Sequence, residues 1–472
     1  MANARGLWSA ILLVFSTGCA HSEYGRSFEA FSRNAGADYR SHAATMAPEV
    51  SKPTAAEPAL TEGSGLNEYL AYAAANSPQL EAAFNRWRAA LQKVPQAKAL
   101  PDPRLSYRFY VREVETRVGP MRQGAGLSQM LPWFGKLDLR GSAAAEEANA
   151  ERRRFEAAAL KLFARVKTAY CEYYYLRRRT EVLRENLRLL QRVEEVARIR
   201  YKTAAADHPA IVRTQVELGK LEDRLRSLVS LRGPLAARLN AALNRPADAK
   251  LPWPEALPED RANFTDEQAL VMLPETNPEL LAMDAQTTAW RHRVQLAKKD
   301  YYPDVTLGVD YVDIETPSGR PRAGDAGKDA VAVMASVNLP IWREKLDAGL
   351  REARHRRLAA VLQRHQRAKD LQADLKLALH HYRDAGRKAS LYRGTLLPKA
   401  IESVRVTESA FRAGTASFAD LLDAQRVLLE FSLAAERAAV DRAIRLAEIE
   451  SLVGRPMPPA QSVRTATAPA EK

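Results

Sequence analysis

The feature that most constrains this chain is that it repeats itself. Asn76-Ser77-Pro78-Gln79-Leu80-Glu81-Ala82 returns as Thr276-Asn277-Pro278-Glu279-Leu280-Leu281-Ala282, 200 residues further on. Pro101-Asp102 returns as Pro303-Asp304, Leu131-Pro132 as Leu339-Pro340, Gln215 as Gln425 and Asn244-Arg245-Pro246 as Gly454-Arg455-Pro456, at offsets of 202, 208, 210 and 210. The order is kept, and the offset drifts only as small loop insertions would make it. A period of about 205 residues is far longer than the roughly 20–50 of a solenoid, so the unit is a half-molecule. The first repeat covers residues 65–246, the second 263–456, and a Pro-rich linker over 247–262 joins them.

Each half reads as a helix, two strands, a long helix and a shorter helix. The spacing predicts helices over 67–98, 136–200 and 212–243, then over 267–300, 345–412 and 419–452. At 1.5 Å per residue the long helices span about 100 Å and the shorter ones about 50 Å. Two short helices stacked end to end therefore match one long partner. No proline falls between Pro132 and Pro209, as an uninterrupted helix requires. Pro398, preceded by Gly394, predicts a kink in the second long helix. The first long helix carries two adjacent apolar stripes. One runs through Leu183, Leu187, Leu190, Ala197 and Tyr201, the other through Val182, Asn186, Leu189, Val193 and Val196. One stripe suits a simple coiled coil; two suit a helix with neighbours on both sides, as in a wall.

The segments between the first two helices of each half alternate with period two. Leu105, Tyr107, Phe109 and Val111 interleave with Ser106, Arg108, Tyr110 and Arg112, and a partner segment carries Leu127-Ser128-Gln129-Met130-Leu131. In the second half Val305, Leu307, Val309 and Tyr311 interleave with Thr306, Gly308, Asp310 and Val312, opposite Val331, Val333, Ala335, Val337 and Leu339. These are β-hairpins, at about 103–132 and 303–340. Two readings fit: a small antiparallel sheet packed on the helices, or membrane strands with an apolar lipid face and a polar lumen face. Four strands cannot close a useful barrel and an open edge is not tolerated in lipid, so membrane strands would require oligomerisation.

The N-terminus reads as an export signal over residues 1–18. Arg5 precedes the apolar run Leu7–Phe15, and Ser16-Thr17-Gly18 leads to Cys19. The run is shorter than the ~20 residues of a transmembrane helix. Cys19 is similarly placed to the lipidated cysteine of bacterial lipoproteins, although Ser16 stands where those proteins usually carry Leu. Ordinary signal cleavage leaving Cys19 unmodified is the alternative. Residues 19–64 then form a flexible tether and residues 457–472 a flexible tail.

With Cys19, the duplicated plan, Leu131-Pro132-Trp133-Phe134-Gly135-Lys136-Leu137, Phe411-Arg412-Ala413-Gly414-Thr415 and Asp420-Leu421-Leu422-Asp423-Ala424-Gln425, the chain resembles the TolC-type outer membrane efflux proteins. The resemblance covers residues 65–456. It implies a mainly α protomer with a small β part, three copies of which form a 12-stranded outer-membrane barrel and a long periplasmic α-helical barrel. It further implies an exit duct of a tripartite pump, joined to a periplasmic adaptor (membrane fusion) protein and an inner-membrane transporter of RND type. Within the family, Pro101-Asp102-Pro103 and Gly126–Pro132 look closest to ducts serving heavy-metal pumps. The positions matching the family's periplasmic gate are Asp420 and Asp423, with Asp207 on the first-repeat tip. Those matching its adaptor-contacting tips are Ala205, Asp207, Gly414, Thr415 and Ser417. Either gate aspartate has an alternative role in capping the helix after Gly414.

Charge does not point elsewhere. The chain has 71 Lys and Arg against 57 Asp and Glu, a formal charge of +14. The runs Arg152–Arg154 and Arg177–Arg179 lie on helices, where consecutive residues face different ways, so neither makes a nucleic-acid stripe. No HExxH, GxSxG, phosphate-binding glycine loop or CxxC occurs, and no enzyme, metal site or cofactor other than the Cys19 lipid is expected. A non-conducting helical lipoprotein scaffold of the envelope is the competing reading, and the alternating hairpins argue against it.

Overall fold

Each repeat opens with a helix that breaks in the same place. The single helices read over 67–98 and 267–300 are each divided in two. Pro78 and Pro278 have no amide proton for the helix ladder and push the preceding residue out of the α region. Ser77 accordingly sits at φ −81°, ψ 111° and Asn277 at φ −65°, ψ 117°. Each proline then starts the next helix, where its φ is already helical.

The computed structural model describes residues 60–61, 63–202, 208–260, 262–316, 324 and 326–458. In chain order the elements are α1 (Leu66–Asn76), α2 (Pro78–Lys98), β1 (Arg104–Val114), β2 (Met121–Leu131), α3 (Lys136–Lys202) and α4 (His208–Ala242), followed by the second repeat. That repeat comprises α5 (Asp266–Thr276), α6 (Pro278–Lys299), β3 (Val305–Ile314), β4 (Ala330–Val337), α7 (Arg343–Leu391), a π turn (Tyr392–Leu396), α8 (Leu397–Ala413) and α9 (Phe418–Val453). The expected signal and Cys19 lie outside the described residues. The π turn falls where the kink was expected. Pro398 would press its ring on the carbonyl of Gly394, and the wider winding, with the Leu397 amide donating to the Tyr392 carbonyl, takes up the conflict.

The chain divides into two compact units. Among the described residues, the first comprises Asn85–Arg152 and Ala282–His365 and holds all four strands. These form one antiparallel sheet in the order β1-β2-β3-β4, so the hairpins of the two repeats lie side by side. The sheet is rooted by a buried lysine. Lys136 Nζ donates to Asp304 Oδ1 at 2.8 Å and to the Tyr302 carbonyl at 3.1 Å, and the Trp133 amide donates to the same Asp304 oxygen at 2.7 Å. Trp133 stacks on Tyr302 with ring centres 5.3 Å apart. The segments Trp133–Lys136 and Pro303-Asp304 thus tie the end of one hairpin to the start of the other.

Among the described residues, the second unit holds those up to Phe84, those of Arg153–Leu281 and those from Gln366 to 458. Its core joins α3, α4, α8 and α9 through Leu183, Leu190, Ala197, Leu221, Leu228, Phe411, Phe418 and Leu429. Both stripes read on α3 contribute: Leu183, Leu190 and Ala197 are buried from one, Asn186 and Val193 from the other, while Tyr201 stays largely exposed. Inter-repeat ion pairs bridge Glu172 to Arg437 at 3.0 Å and Lys167 to Glu450 at 2.6 Å. The Pro-rich linker is strapped down at both ends. Tyr170 and Arg177 donate to the carbonyls of Ala256 and Pro254, Trp253 stacks on Tyr173 at 4.7 Å, and Asp260 accepts from Tyr382 at 2.9 Å and from Arg442.

The duplicated ends have a shared cause. Asn244 and Gly454 both adopt the left-handed conformation that closes a helix, at φ 57° and 97°. In the second repeat the closure is crowded: Thr276 Oγ1 donates to the Val453 carbonyl at 2.6 Å and Asn277 Nδ2 to the Leu452 carbonyl at 2.7 Å. A Cβ on Gly454 would meet the Thr276 carbonyl oxygen at 2.5 Å. Gly454→Ala is therefore expected to cost at least ~1–2 kcal/mol from the backbone alone, with the clash added. A lowered apparent unfolding temperature in detergent checks this, and Asn244→Gly should leave that temperature nearly unchanged.

Candidate functional site: the strand sheet and the helical tip

The register of the sheet sorts its side chains onto two faces. Leu105, Leu127, Val309 and Val333 stand in one row across the four strands, and Tyr107, Ala125, Tyr311 and Val331 in the next. These are apolar yet exposed: Leu105 is 78% accessible, Val333 82% and Tyr107 65%. An uncovered apolar face of this extent is out of place in water and matched to hydrocarbon. The face ends in polar groups toward the hairpin tips, where Tyr107 OH donates to Gln123 Oε1 at 2.8 Å and Gln123 Nε2 to Asp313 Oδ2 at 3.0 Å. At the root of the sheet Phe134 and Trp342 are 84% and 74% exposed. Aromatic side chains in that position suit a membrane–water interface.

The opposite face is small and polar. Its rows are Ser106, Gly126, Asp310 and Ala332, then Arg104, Ser128, Gly308 and Met334. The outer strands β1 and β4 each have one unpaired edge. Among the described residues no helix is long and apolar enough to cross a membrane.

At the other functional region, α8 turns into α9 through a compact cap. Gly414 has φ 85°, its amide reaches the carbonyls of Ala410 and Phe411, and Thr415 donates from both amide and hydroxyl to Ala410. Phe411 and Phe418 pack edge to face at 5.8 Å beneath the turn. Ser417 is the N-cap of α9 in a capping box: its hydroxyl accepts from the Asp420 amide at 3.2 Å, and Asp420 Oδ2 accepts from the Ser417 amide at 2.9 Å. The Ser417 hydroxyl and amide hold the Asp420 carboxyl below the usual range. Asp420 thus takes the capping role offered as its alternative. Asp423 is exposed and pairs with Arg426 at 3.1 Å. Ala205 and Asp207 lie outside the described residues.

Sequence reasoning missed a cross-link at this tip. Arg426 also reaches Glu217 on α4 at 2.6 Å, and Lys220 pairs with Glu217 at 2.9 Å. The three residues join the two repeats across 209 positions, a separation at which spacing carries no signal. The Arg108–Asp310 pair of the sheet, at 3.4 Å, escaped for the same reason.

A sequence profile of the outer membrane efflux protein family matches residues 70–225 and 269–455, and the chain belongs to that family. The two matched segments fall in the two repeats. The protein is accordingly an outer-membrane efflux channel with a large periplasmic helical portion, a transport protein rather than an enzyme. Its fold resembles that of VceC from Vibrio cholerae, at 18% identity and a TM-score of 0.67, covering 83% of this chain and 97% of that one. It also resembles CusC, at 15% identity and a TM-score of 0.70 over 87% and 99%. The open state of MtrE from Neisseria gonorrhoeae matches at 18% identity and 0.65 over 86% and 96%. No curated protein sequence matches the chain.

Two outcomes follow from this geometry. Val309→Arg, on the apolar face, should cost up to ~2–4 kcal/mol in the bilayer and reduce the folded protein recovered from outer membranes, whereas Ser128→Arg on the opposite face should not. At the tip, hydrogen bonds from Lys220 and then Arg426 hold the Glu217 carboxyl below its usual range. That stabilisation is complete above the ordinary glutamate range and is lost as pH falls through the depressed value. Hydrogen exchange of the tip amides, corrected for intrinsic rates, should therefore accelerate on acidification, and Glu217→Gln should reproduce the acid state at neutral pH.

Proposed function

We propose that three copies of this chain close their sheets edge to edge into one 12-stranded barrel, which serves as the exit duct of a tripartite pump. The exposed apolar face of a sheet with two unpaired edges carries this reading. In hydrocarbon each unsatisfied backbone group costs several kcal/mol, so β1 and β4 must find strands, and a second and third copy supply them in a closed ring. A non-conducting scaffold would have no use for that face. The helical portion continues the conduit into the periplasm toward an adaptor protein and an inner-membrane transporter of RND type.

The helical tips form the gate and the adaptor contact. Threefold symmetry would gather Asp423, Asp420 and, from the first repeat, Asp207 near the axis, and like charges at close range attract cations or raise one another's pKa. Ala205, Asp207, Gly414, Thr415 and Ser417 are the tip positions offered to the adaptor. Cys19 carries the lipid anchor. The exported class belongs to the heavy-metal branch that Pro101-Asp102-Pro103 and Gly126–Pro132 resemble.

Purified protein in planar bilayers should conduct in discrete steps, and Asp423→Ala should raise the open fraction. A protein silent both as wild type and as the Asp420→Ala/Asp423→Ala double variant sinks the duct. A strain lacking the chain should grow poorly in heavy-metal salts; sensitivity to drugs alone would remove the metal branch while leaving the duct.

A further inference from the structure

We propose that the lumen face of the sheet is an anion-selective lining built by the arginines of β1. This rests on the duct reading, which makes the face opposite the exposed apolar rows the wall of the pore. On that face Arg104 and Arg108 stand four residues apart, in register with Ser128 and Gly124 of β2. At ~3.4 Å per residue they lie ~14 Å apart along the strand. Arg112 lies past the register shift between Phe109 and Val114, outside the regular ladder.

Most of the wall around them is cut back to let these side chains reach across it, Val312 and Met334 being its larger side chains. Gly124, Gly126, Ser128, Gly308, Ala330 and Ala332 line the neighbouring strands on the same side. Arg108 stretches over β2 to Asp310 on β3 at 3.4 Å. Glycine at 126 is what permits this path: a Cβ there would meet Asp310 Oδ1 at 2.3 Å and Ser106 Oγ at 2.8 Å. Asp310 is the one acid in register on this face, and it is already engaged. Arg104 and Arg112 have no ion-pair partner among the described residues, while Arg122 is taken by Glu113 and Glu315.

The balance is two arginines to one aspartate per copy in the regular part of the ladder, hence six to three in a closed ring. Twelve strands ~4.8 Å apart and tilted by ~40° make a barrel roughly 24 Å across its backbone. Side chains narrow that bore toward the Debye length of about 8 Å in physiological salt, so the wall charges act on ions throughout the cross-section. Rings of arginine favour anions. The barrel thus suits oxyanions, carboxylates and phosphorylated solutes, and a metal would cross it as an oxyanion or anionic complex more readily than as a bare cation.

The test is the chloride-to-potassium permeability ratio, from reversal potentials in a tenfold potassium chloride gradient across a planar bilayer. It is measured on the full chain and on the Asp420→Ala/Asp423→Ala variant, which removes the tip carboxylates. In the second background the ratio should exceed one, fall toward one when Arg104, Arg108 and Arg112 are all changed to Ser, and survive their change to Lys. A conducting protein with a ratio at or below one, or a ratio that the Ser variant leaves unchanged, overturns the anion-selective lining alone. A protein without conductance in any background overturns the duct reading and this one with it.

Discussion

A strand edge in hydrocarbon has no water to satisfy its amides and carbonyls, and the rest of this structure is arranged around that constraint. The duplicated chain supplies two hairpins, and pairing β2 with β3 satisfies the inner edges within one copy. The outer edges of β1 and β4 remain, together with a face of exposed Leu, Val and Tyr. In the proposed duct both demands are met together by closure with further copies. The buried Lys136–Asp304 contact serves the same end, because it joins the two hairpin roots. A buried charge of this kind is held in place by more than its pair alone: Lys136 Nζ also donates to the Tyr302 carbonyl, and Asp304 Oδ1 also accepts from the Trp133 amide.

The helical tip obeys a different economy. It is held by local caps and by ion pairs in water, each worth little by itself. Gly414 and the Ser417–Asp420 box shape the turn, Phe411 and Phe418 supply its apolar footing, and Glu217, Arg426 and Lys220 tie it to α4. Such a region can open at modest cost, which suits a gate. The root of the sheet, with a buried lysine and stacked Trp133 and Tyr302, does not share that freedom.

Much of this was legible in the residues because it depends on period and local stereochemistry. Strict alternation in Leu105–Val111 and Val305–Tyr311 marked the strands, and their register bears out the two faces. Pro398 with Gly394 marked the place of the π turn. The breaks at Ser77 and Asn277 were less visible, since apolar spacing continues across them; only the missing amide of the next proline interrupts the helix. The matched pair Asn244 and Gly454 stood out as a repeat, and their left-handed backbone explains why residues of those two types recur there. For Asp420 the sequence left gate and cap both open, and the structure supplies the cap through hydrogen bonds spanning three residues.

By itself, then, the sequence determined the duplicated plan, the apolar and polar faces of the strands and the positions of most turns. All of these follow from side-chain periodicity and from the backbone limits of proline and glycine, which act over a few residues. Only the tertiary structure decided which distant groups meet: Lys136 with Asp304, Glu217 with Arg426, and Arg108 across Gly126 with Asp310. Those pairings are fixed by the register of strands and the packing of helices some 170 to 210 residues apart in the chain. Long-range register depends on the whole set of contacts formed at once, and no local pattern of residue types encodes it.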